Sequence, residues 1–254
     1  MTDRDWTAYY NAVAGKPPRE TLVMALERFE AEDAGSAARP VVRIAFDLGC
    51  GEGRDTRELI RRDAATRWRV LAADPTPEGI RRTLSSIADA DRSRVRTVVA
   101  SLQELPGEVA QLAADDPAWF RSNARREPAV RGDAGIGPSA DRVDAHRVNA
   151  SLVNAHLVNA SFVLPFVPPE HFARVWTWIR SIMAPGGRFT GQFFGPRDSW
   201  AGLPGRSHHA REEVLGMLDG LTLEHFQEDE KDGHDAEGNA KHWHVFHVVA
   251  KRTA

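Results

Sequence analysis

The sequence predicts an α/β fold: a mostly parallel sheet with helices on both faces and an antiparallel β-hairpin at its end. Three observations carry that prediction. Short runs rich in β-branched residues recur from Val41 onward, each bounded by turn residues, and helix-patterned segments alternate with them. A glycine-rich turn, Gly49-Cys50-Gly51-Glu52-Gly53, joins the first of these runs to a helix-forming stretch. The tail departs from the alternation. Leu221 to Glu230 and His242 to Ala250 are strand-like and are linked by DEKDGHDAEGN, too polar and too short for a crossover helix, so the two segments should pair antiparallel.

In chain order, Asp3 to Phe29 reads as one or two helices interrupted at Gly15-Lys16-Pro17-Pro18, an N-terminal helical cover over residues 1–38. Strands are expected at Val41 to Phe46, Trp68 to Ala73, Val95 to Ala100, Leu157 to Phe162 and Arg188 to Phe194. Helices fall between them. Thr56 to Arg62 has helix-forming composition, Pro77 to Ala90 carries proline in its first turn, and His171 to Met183 places Phe172, Val175, Trp176, Ile179 and Ile182 at spacings of three and four. Pro185-Gly186-Gly187 ends that last helix. The distance from Ala100 to Leu157 exceeds an ordinary crossover, so an insertion is expected at about 107–150, with Trp119 and Phe120 as its anchor points.

With 254 residues, 42% apolar and 27% charged, the chain should form a single domain over 1–254. No run of eighteen apolar residues occurs and MTDRDWTAYY lacks the pattern of a secretory signal, so a cytoplasmic protein with no membrane contact is expected. The single cysteine, Cys50, excludes an internal disulfide and any multi-thiolate zinc site. A net charge of −3 provides no broad basic field, and nucleic acid is not an expected partner despite the cluster Arg121, Arg125, Arg126 and Arg131. The chain is expected to be a monomer or a homodimer.

The glycine turn indicates the ligand. Glycines at a strand-to-helix junction let backbone approach a ligand closely, beside the unpaired N–H groups of the helix start. In an open α/β sheet the ligand crevice lies off the carboxyl ends of the strands. Asp74, at the end of the second strand, suits the two hydroxyls of a ribose. A nicotinamide site wants G-x-G-x-x-G facing a pyrophosphate, but here the order is G-x-G-x-G with Asp47 just before it. A carboxylate there repels a pyrophosphate and suits an ammonium. S-adenosylmethionine (SAM) has an ammonium, a sulfonium, a ribose and an adenine, and no phosphate.

DLGCGEGRDT, Asp74, the PGG turn and the terminal hairpin together resemble the class I SAM-dependent methyltransferases. The N-terminal WTAYYNAVAGKPPRETL and the ending EDEKDGHDAEGNAKHWHVFHVVAKR resemble more narrowly the tellurite-resistance type and its small-molecule relatives. The resemblance implies a Rossmann-like sheet of seven strands, mostly parallel. It implies that Asp47, Gly49, Gly51 and Gly53, with Cys50 and Arg54 beside them, shape the floor under the methionine moiety. Asp74 and Pro75 would hold the ribose, and Ser101, Leu102 and Gln103 would read the adenine. Cys50 itself is expected to be a small packed residue rather than a nucleophile. Tyr9, Tyr10 and Arg19, and Arg197, Asp198 and Trp200 in the loop after the fifth strand, lie in segments that cover the cofactor in this family, where an arginine can pair the methionine carboxylate.

The unit Val-Asn-Ala-(Ser/His) recurs at a spacing of five over 148–161. In a strand, asparagines five apart face alternate sides, so Asn149, Asn154 and Asn159 form no ladder. Only the copy LVNASF leads directly into the loop VLPFVPPE and the following helix, which places Asn159, Ala160, Ser161 and Phe162 at the cofactor and substrate. The ending KHWHVFH has three histidines, but His242 and His244 share a face that His247 does not, so no metal site is expected. His242 and His244 are expected to overlook the substrate as proton acceptor or anion ligand. The expected reaction is methyl transfer to a small-molecule acceptor, either a soft tellurium, selenium or sulfur nucleophile needing no base or a hydroxyl or carboxyl of secondary metabolism. A SAM-binding protein without catalysis is the alternative.

Overall fold

The computed structural model describes residues 5–34, 41–62, 66–122 and 153–253. Two helices, α1 (Trp6–Val13) and α2 (Glu20–Asp33), precede β1 (Val41–Leu48), α3 (Arg54–Arg61), β2 (Thr66–Asp74), α4 (Pro77–Ser85), β3 (Val95–Val99) and α5 (Leu105–Asp115). Then come β4 (Ala155–Ala160), α6 (Pro169–Ile182), β5 (Met183–Phe194), α7 (Arg211–Met217), β6 (Leu221–His234) and β7 (Ala240–Arg252). The strands form one seven-stranded sheet in the order β3-β2-β1-β4-β5-β7-β6. β1 to β5 pair parallel, and β7 runs antiparallel between β5 and β6.

Alternation along the strands builds two cores. Ile44, Phe46 and Leu48 of β1 face one side with Val109 of α5, Trp176 of α6 and Val214 of α7, while Ala45 faces the other with Leu26 of α2, Leu59 of α3 and Ile80 of α4. Helices therefore cover both faces. α4 starts where the sequence places it, with Pro77 in the first turn and the Thr76 side chain accepting from the Gly79 N–H at 3.0 Å. α6 buries all five apolar residues of its expected stripe.

The expected elements form with shifted ends, and one expectation needs correcting. The stretch from 107, read as the start of an insertion, is the body of α5, the crossover helix after β3, which buries Leu105, Val109 and Ala113. Trp119 and Phe120 are buried beyond it, with ring centroids 5.0 Å apart. Residues 123–152, which hold the rest of that expected insertion and the first Val-Asn-Ala copies, lie outside the described residues. β4 ends two residues earlier than expected, because Phe162 takes a left-handed conformation with φ of 57°. The terminal hairpin is longer than expected at both strands. Asp235 closes its turn by accepting from the Glu237 and Asn239 N–H groups, so most of the polar segment read as a loop is paired strand. That extension brings the hairpin over the carboxyl edge of the sheet.

Candidate active site

A cavity of about 360 Å³ opens between the glycine turn and Asp74 at one end and the β6–β7 hairpin at the other. It lies where the strand order reverses between β1 and β4, the place an open α/β sheet offers a ligand. α1 and the segment after it form one wall, contributing Trp6, Tyr9, Tyr10, Lys16 and Arg19.

The turn itself requires glycine. Gly49 has φ of 71°, and a Cβ there would fall 2.7 Å from Cγ2 of Val163; at Gly53, with φ of 87°, it would fall 2.7 Å from Cα of Thr83. The Gly49 and Cys50 N–H groups both donate to the Ala73 carbonyl, at 2.8 and 2.9 Å, which ties the turn to the end of β2. Asp74 completes the tie. Its Oδ2 accepts the Gly51 N–H at 3.0 Å, and its Oδ1 accepts the Tyr10 hydroxyl at 2.9 Å, the Thr76 N–H at 2.9 Å and the Thr76 hydroxyl at 2.7 Å. Burial, then the charge of Asp74, push the Tyr10 hydroxyl far above its ordinary value, so it stays a donor.

Gly79 offers a selective test of this geometry, because a Cβ there would sit 2.6 Å from Oδ1 of Asp74 without forcing a left-handed backbone. Gly79→Ala should leave α4 intact, alanine being the better helix former. It should weaken adenosyl-ligand binding about tenfold by displacing the carboxylate, read by titration calorimetry with circular dichroism as the folding control.

Asp47 lies behind the turn. It is 2% exposed and does not line the cavity, so the expectation that its carboxylate meets the ligand directly is corrected. Its oxygens accept the Thr56 hydroxyl at 2.6 Å and Nδ2 of Asn159 at 2.9 Å. The same amide donates to Asp55 at 3.0 Å, while its Oδ1 accepts the Ser161 and Thr190 hydroxyls at 2.8 and 2.9 Å. Asn159, fully buried, is therefore the hub that holds two carboxylates under the glycine turn, and neither it nor Ala160 borders the cavity. The residues after β4 do: Ser161, Phe162 and Val163 line it.

Burial, then the neighbouring Asp55 charge, raise the Asp47 carboxyl above its ordinary range. A carboxyl whose folded value exceeds its unfolded value of about 4 contributes fully below that pH and loses its contribution as pH rises through the folded value. Asp47→Asn removes that titration. Its melting temperature relative to the parent should therefore rise between about pH 4 and the folded value of about 7 and level off above it, measured by thermal unfolding.

The other expected site residues divide. Pro75, Tyr10 and Arg19 line the cavity; Arg19 also stacks over Phe162, Cζ to ring centroid 4.3 Å, and donates its backbone N–H to Asp55. Cys50 is buried against the Thr83 hydroxyl, and burial raises its thiol, which fits a packing role. Arg54 is buried and paired with Glu52 at 3.2 Å. Ser101, Leu102 and Gln103 lie outside the cavity, with Ser101 donating twice to Glu104.

The histidine expectation is also corrected. His244 is 1% exposed, away from the cavity, with Nε2 2.9 Å from Glu228 and Nδ1 accepting the Arg197 N–H at 3.2 Å. His242 lies between Asp232 and Glu230, also outside. The opposite face of β7 lines the cavity with Trp243, Val245 and His247. Sequence reasoning found the alternation but chose the wrong parity, since H-H-F and W-V-H are equally plausible inward faces of one strand. The pairing of His247 with Gln192 on β5 and Gln227 on β6 sets the register, which no local pattern reveals.

Neither a protein-family model nor a curated protein sequence matches this chain. Solved structures do match it. N-methyltransferase NodS from Bradyrhizobium japonicum WM9, in complex with S-adenosyl-L-homocysteine, covers 98% of this chain over 98% of its own, at 12% identity and a TM-score of 0.53. The 1,6-didemethyltoxoflavin-N1-methyltransferase of Burkholderia thailandensis covers 98% of this chain over 85% of its own, at 17% identity and 0.52. TehB from Haemophilus influenzae covers 89% over 62% of its own chain, at 14% and 0.52. The chain has the class I SAM-dependent methyltransferase fold.

Within this methyltransferase fold, the cavity meets the carboxyl edge of the sheet at its switch point, and the glycine turn and Asp74 stand together at one end of it. The donor set fits an adenosyl ligand. A carboxylate that already accepts hydroxyl donors can accept a ribose diol, and the bare Gly49 and Gly51 backbone leaves room beside it for a methionine chain. Among the described residues no helix is long and apolar enough to cross a membrane, and no cluster of three metal-ligating side chains occurs.

Proposed function

We propose that the protein transfers a methyl group from SAM to a small-molecule acceptor. The observation that carries this reading is the Asp74 carboxylate at the cavity end, bonded to the Gly51 N–H of the G-x-G-x-G turn. Asp74 holds the ribose, replacing its bond to the Tyr10 hydroxyl. Arg19 and Lys16, the cations on the α1 side of the cavity, pair the methionine carboxylate. When bound, SAM supplies an electrophilic methyl group on a sulfonium. The chain's own residues orient the acceptor and exclude water, which is where the rate gain lies.

The structures it resembles support the reading, two of them bearing S-adenosylhomocysteine and named for N-methyl transfer. A reduced tellurium, selenium or sulfur acceptor is the finer alternative that the sequence resemblance implies. A wide aromatic cavity favours a larger organic molecule instead. The test is release of S-adenosylhomocysteine from SAM across an acceptor panel. Acceptor-dependent release supports the enzyme; tight SAM binding with no release from any acceptor supports a binding protein that has lost catalysis.

A further inference from the structure

The far end of the cavity has a composition that SAM binding does not call for. Phe162, Phe194, Trp200 and Trp243 form an aromatic wall with edge-to-face and tilted contacts: ring centroids lie 6.1 Å apart for Phe162 and Phe194, 6.3 Å for Phe162 and Trp243, and 5.9 Å for Trp200 and Trp243. Phe162 is the only non-glycine residue with positive φ among the described residues. A bulky side chain rarely adopts that conformation, and it persists only where the surrounding structure fixes it. Its N–H donates to Gln192 at 3.0 Å and Arg19 covers its ring, so the phenyl group is held between the cofactor end and the hairpin.

An aromatic wall of this kind often receives a cationic ligand. Here the cation is already built in. Nζ of Lys241 lies 3.8 Å from the Trp200 centroid and 4.4 Å from that of Trp243, buried and paired with Asp198. With those two ring faces already engaged by Lys241, an alkylammonium acceptor finds fewer free π faces to lie against. The wall suits a flat, neutral, π-rich molecule instead.

At the same end, His247 lines the cavity with its ring centroid 6.1 Å from that of Phe162. Its Nε2 lies 3.6 Å from Oδ2 of Asp229 on β6. We propose that this end takes a planar aromatic or heteroaromatic acceptor bearing an acidic O–H or N–H, and that His247 is the base that removes that proton. The acceptor's lone pair forms the new bond to the methyl carbon as the carbon–sulfur bond breaks, its electrons staying on sulfur. The proton leaves on His247 and passes to solvent. Burial holds the His247 imidazole below its ordinary value, against the opposing pull of Asp229 and Glu20 and with the help of His225 and Lys231, so the neutral base form is the resting one.

This proposal rests on the methyltransferase reading, and one experiment separates the two. SAM and the full chain are incubated with 2-naphthol, 8-hydroxyquinoline or lumazine as planar protic probes, and with sodium hydrosulfide or sodium hydrogen selenide as soft ones. S-adenosylhomocysteine release and, independently, binding of each planar probe to the S-adenosylhomocysteine complex are measured. At least one planar probe should bind and turn over. His247→Asn should lower its kcat/KM about 100-fold or more and flatten the acidic limb of the pH profile, with S-adenosylhomocysteine affinity kept within about twofold. Asp229→Asn should move that limb to lower pH, and Trp243→Leu should raise KM about tenfold with a smaller change in kcat. Turnover with soft probes alone, no binding of any planar probe, or unchanged kcat/KM in His247→Asn overturns the proposal and leaves SAM binding standing. Failure of the unmodified protein to bind S-adenosylhomocysteine removes the methyltransferase reading, and the proposal falls with it.

Discussion

Asp74→Ala should weaken S-adenosylhomocysteine binding about 100-fold or more while the protein stays folded. The size follows from what the carboxylate does. A ribose held by two charge-assisted hydrogen bonds gains roughly 1.5–3 kcal/mol from each, and tenfold in affinity corresponds to about 1.4 kcal/mol. Asp74 also fixes the glycine turn through the Gly51 N–H and orients Thr76, so its loss loosens the floor as well as the wall. Titration calorimetry reads the loss directly. Asp74→Asn, which keeps one acceptor oxygen, should fall between the variant and the parent. Affinity within threefold of the parent in the alanine variant would mean that the adenosyl moiety lies elsewhere.

The largest stability effect is expected at Asn159. Removing its amide leaves Asp47 and Asp55 facing each other in a buried space, and strips the Ser161 and Thr190 hydroxyls of their shared acceptor. An uncompensated buried charge costs about 3–5 kcal/mol, against about 1 kcal/mol for an ordinary hydrogen bond. Asn159→Ala should therefore lower the melting temperature by roughly 10 °C, at 2–4 °C per kcal/mol for a chain of this size. The loss should be smaller in an Asp47→Asn background, because one of the two charges is then gone. A shift under 2 °C in the single variant would remove Asn159 from the role of hub.

Much of the fold was legible because it is written in local patterns. Strand β1 leads into a glycine turn whose residues have no substitute at their backbone angles, and α6 carries its apolar stripe at helical spacing. The parallel body of the sheet and its antiparallel end followed from the same patterns combined with the short hairpin link, whereas the order of the strands within it came from the structure. Of the cavity lining, the end formed by the glycine turn and Asp74 was the most legible. Asp74 and the glycines are fixed by the ends of consecutive elements, so sequence order alone brings them together.

The rest depends on long-range choices. Asp47 and Asn159 are neighbours across β1 and β4, 112 residues apart, and they meet behind the glycine turn rather than in the cavity. Which face of β7 looks inward is decided by its pairing with β5, and a one-residue error in parity exchanges His244 for His247. Hairpin residues Asp229 and Lys231 reach the cavity because β6 continues through a segment whose charges read as loop. Composition read the segment from Lys231 onward as loop, whereas pairing with β7 made it strand as far as His234.

The most direct test of the central claim, that this cavity is an adenosyl site without a pyrophosphate subsite, is a calorimetric titration of the unmodified protein with S-adenosylhomocysteine and, separately, with NADH. Saturable one-to-one binding of S-adenosylhomocysteine and no heat of binding from NADH is the predicted result. Binding of NADH with none of S-adenosylhomocysteine would contradict it.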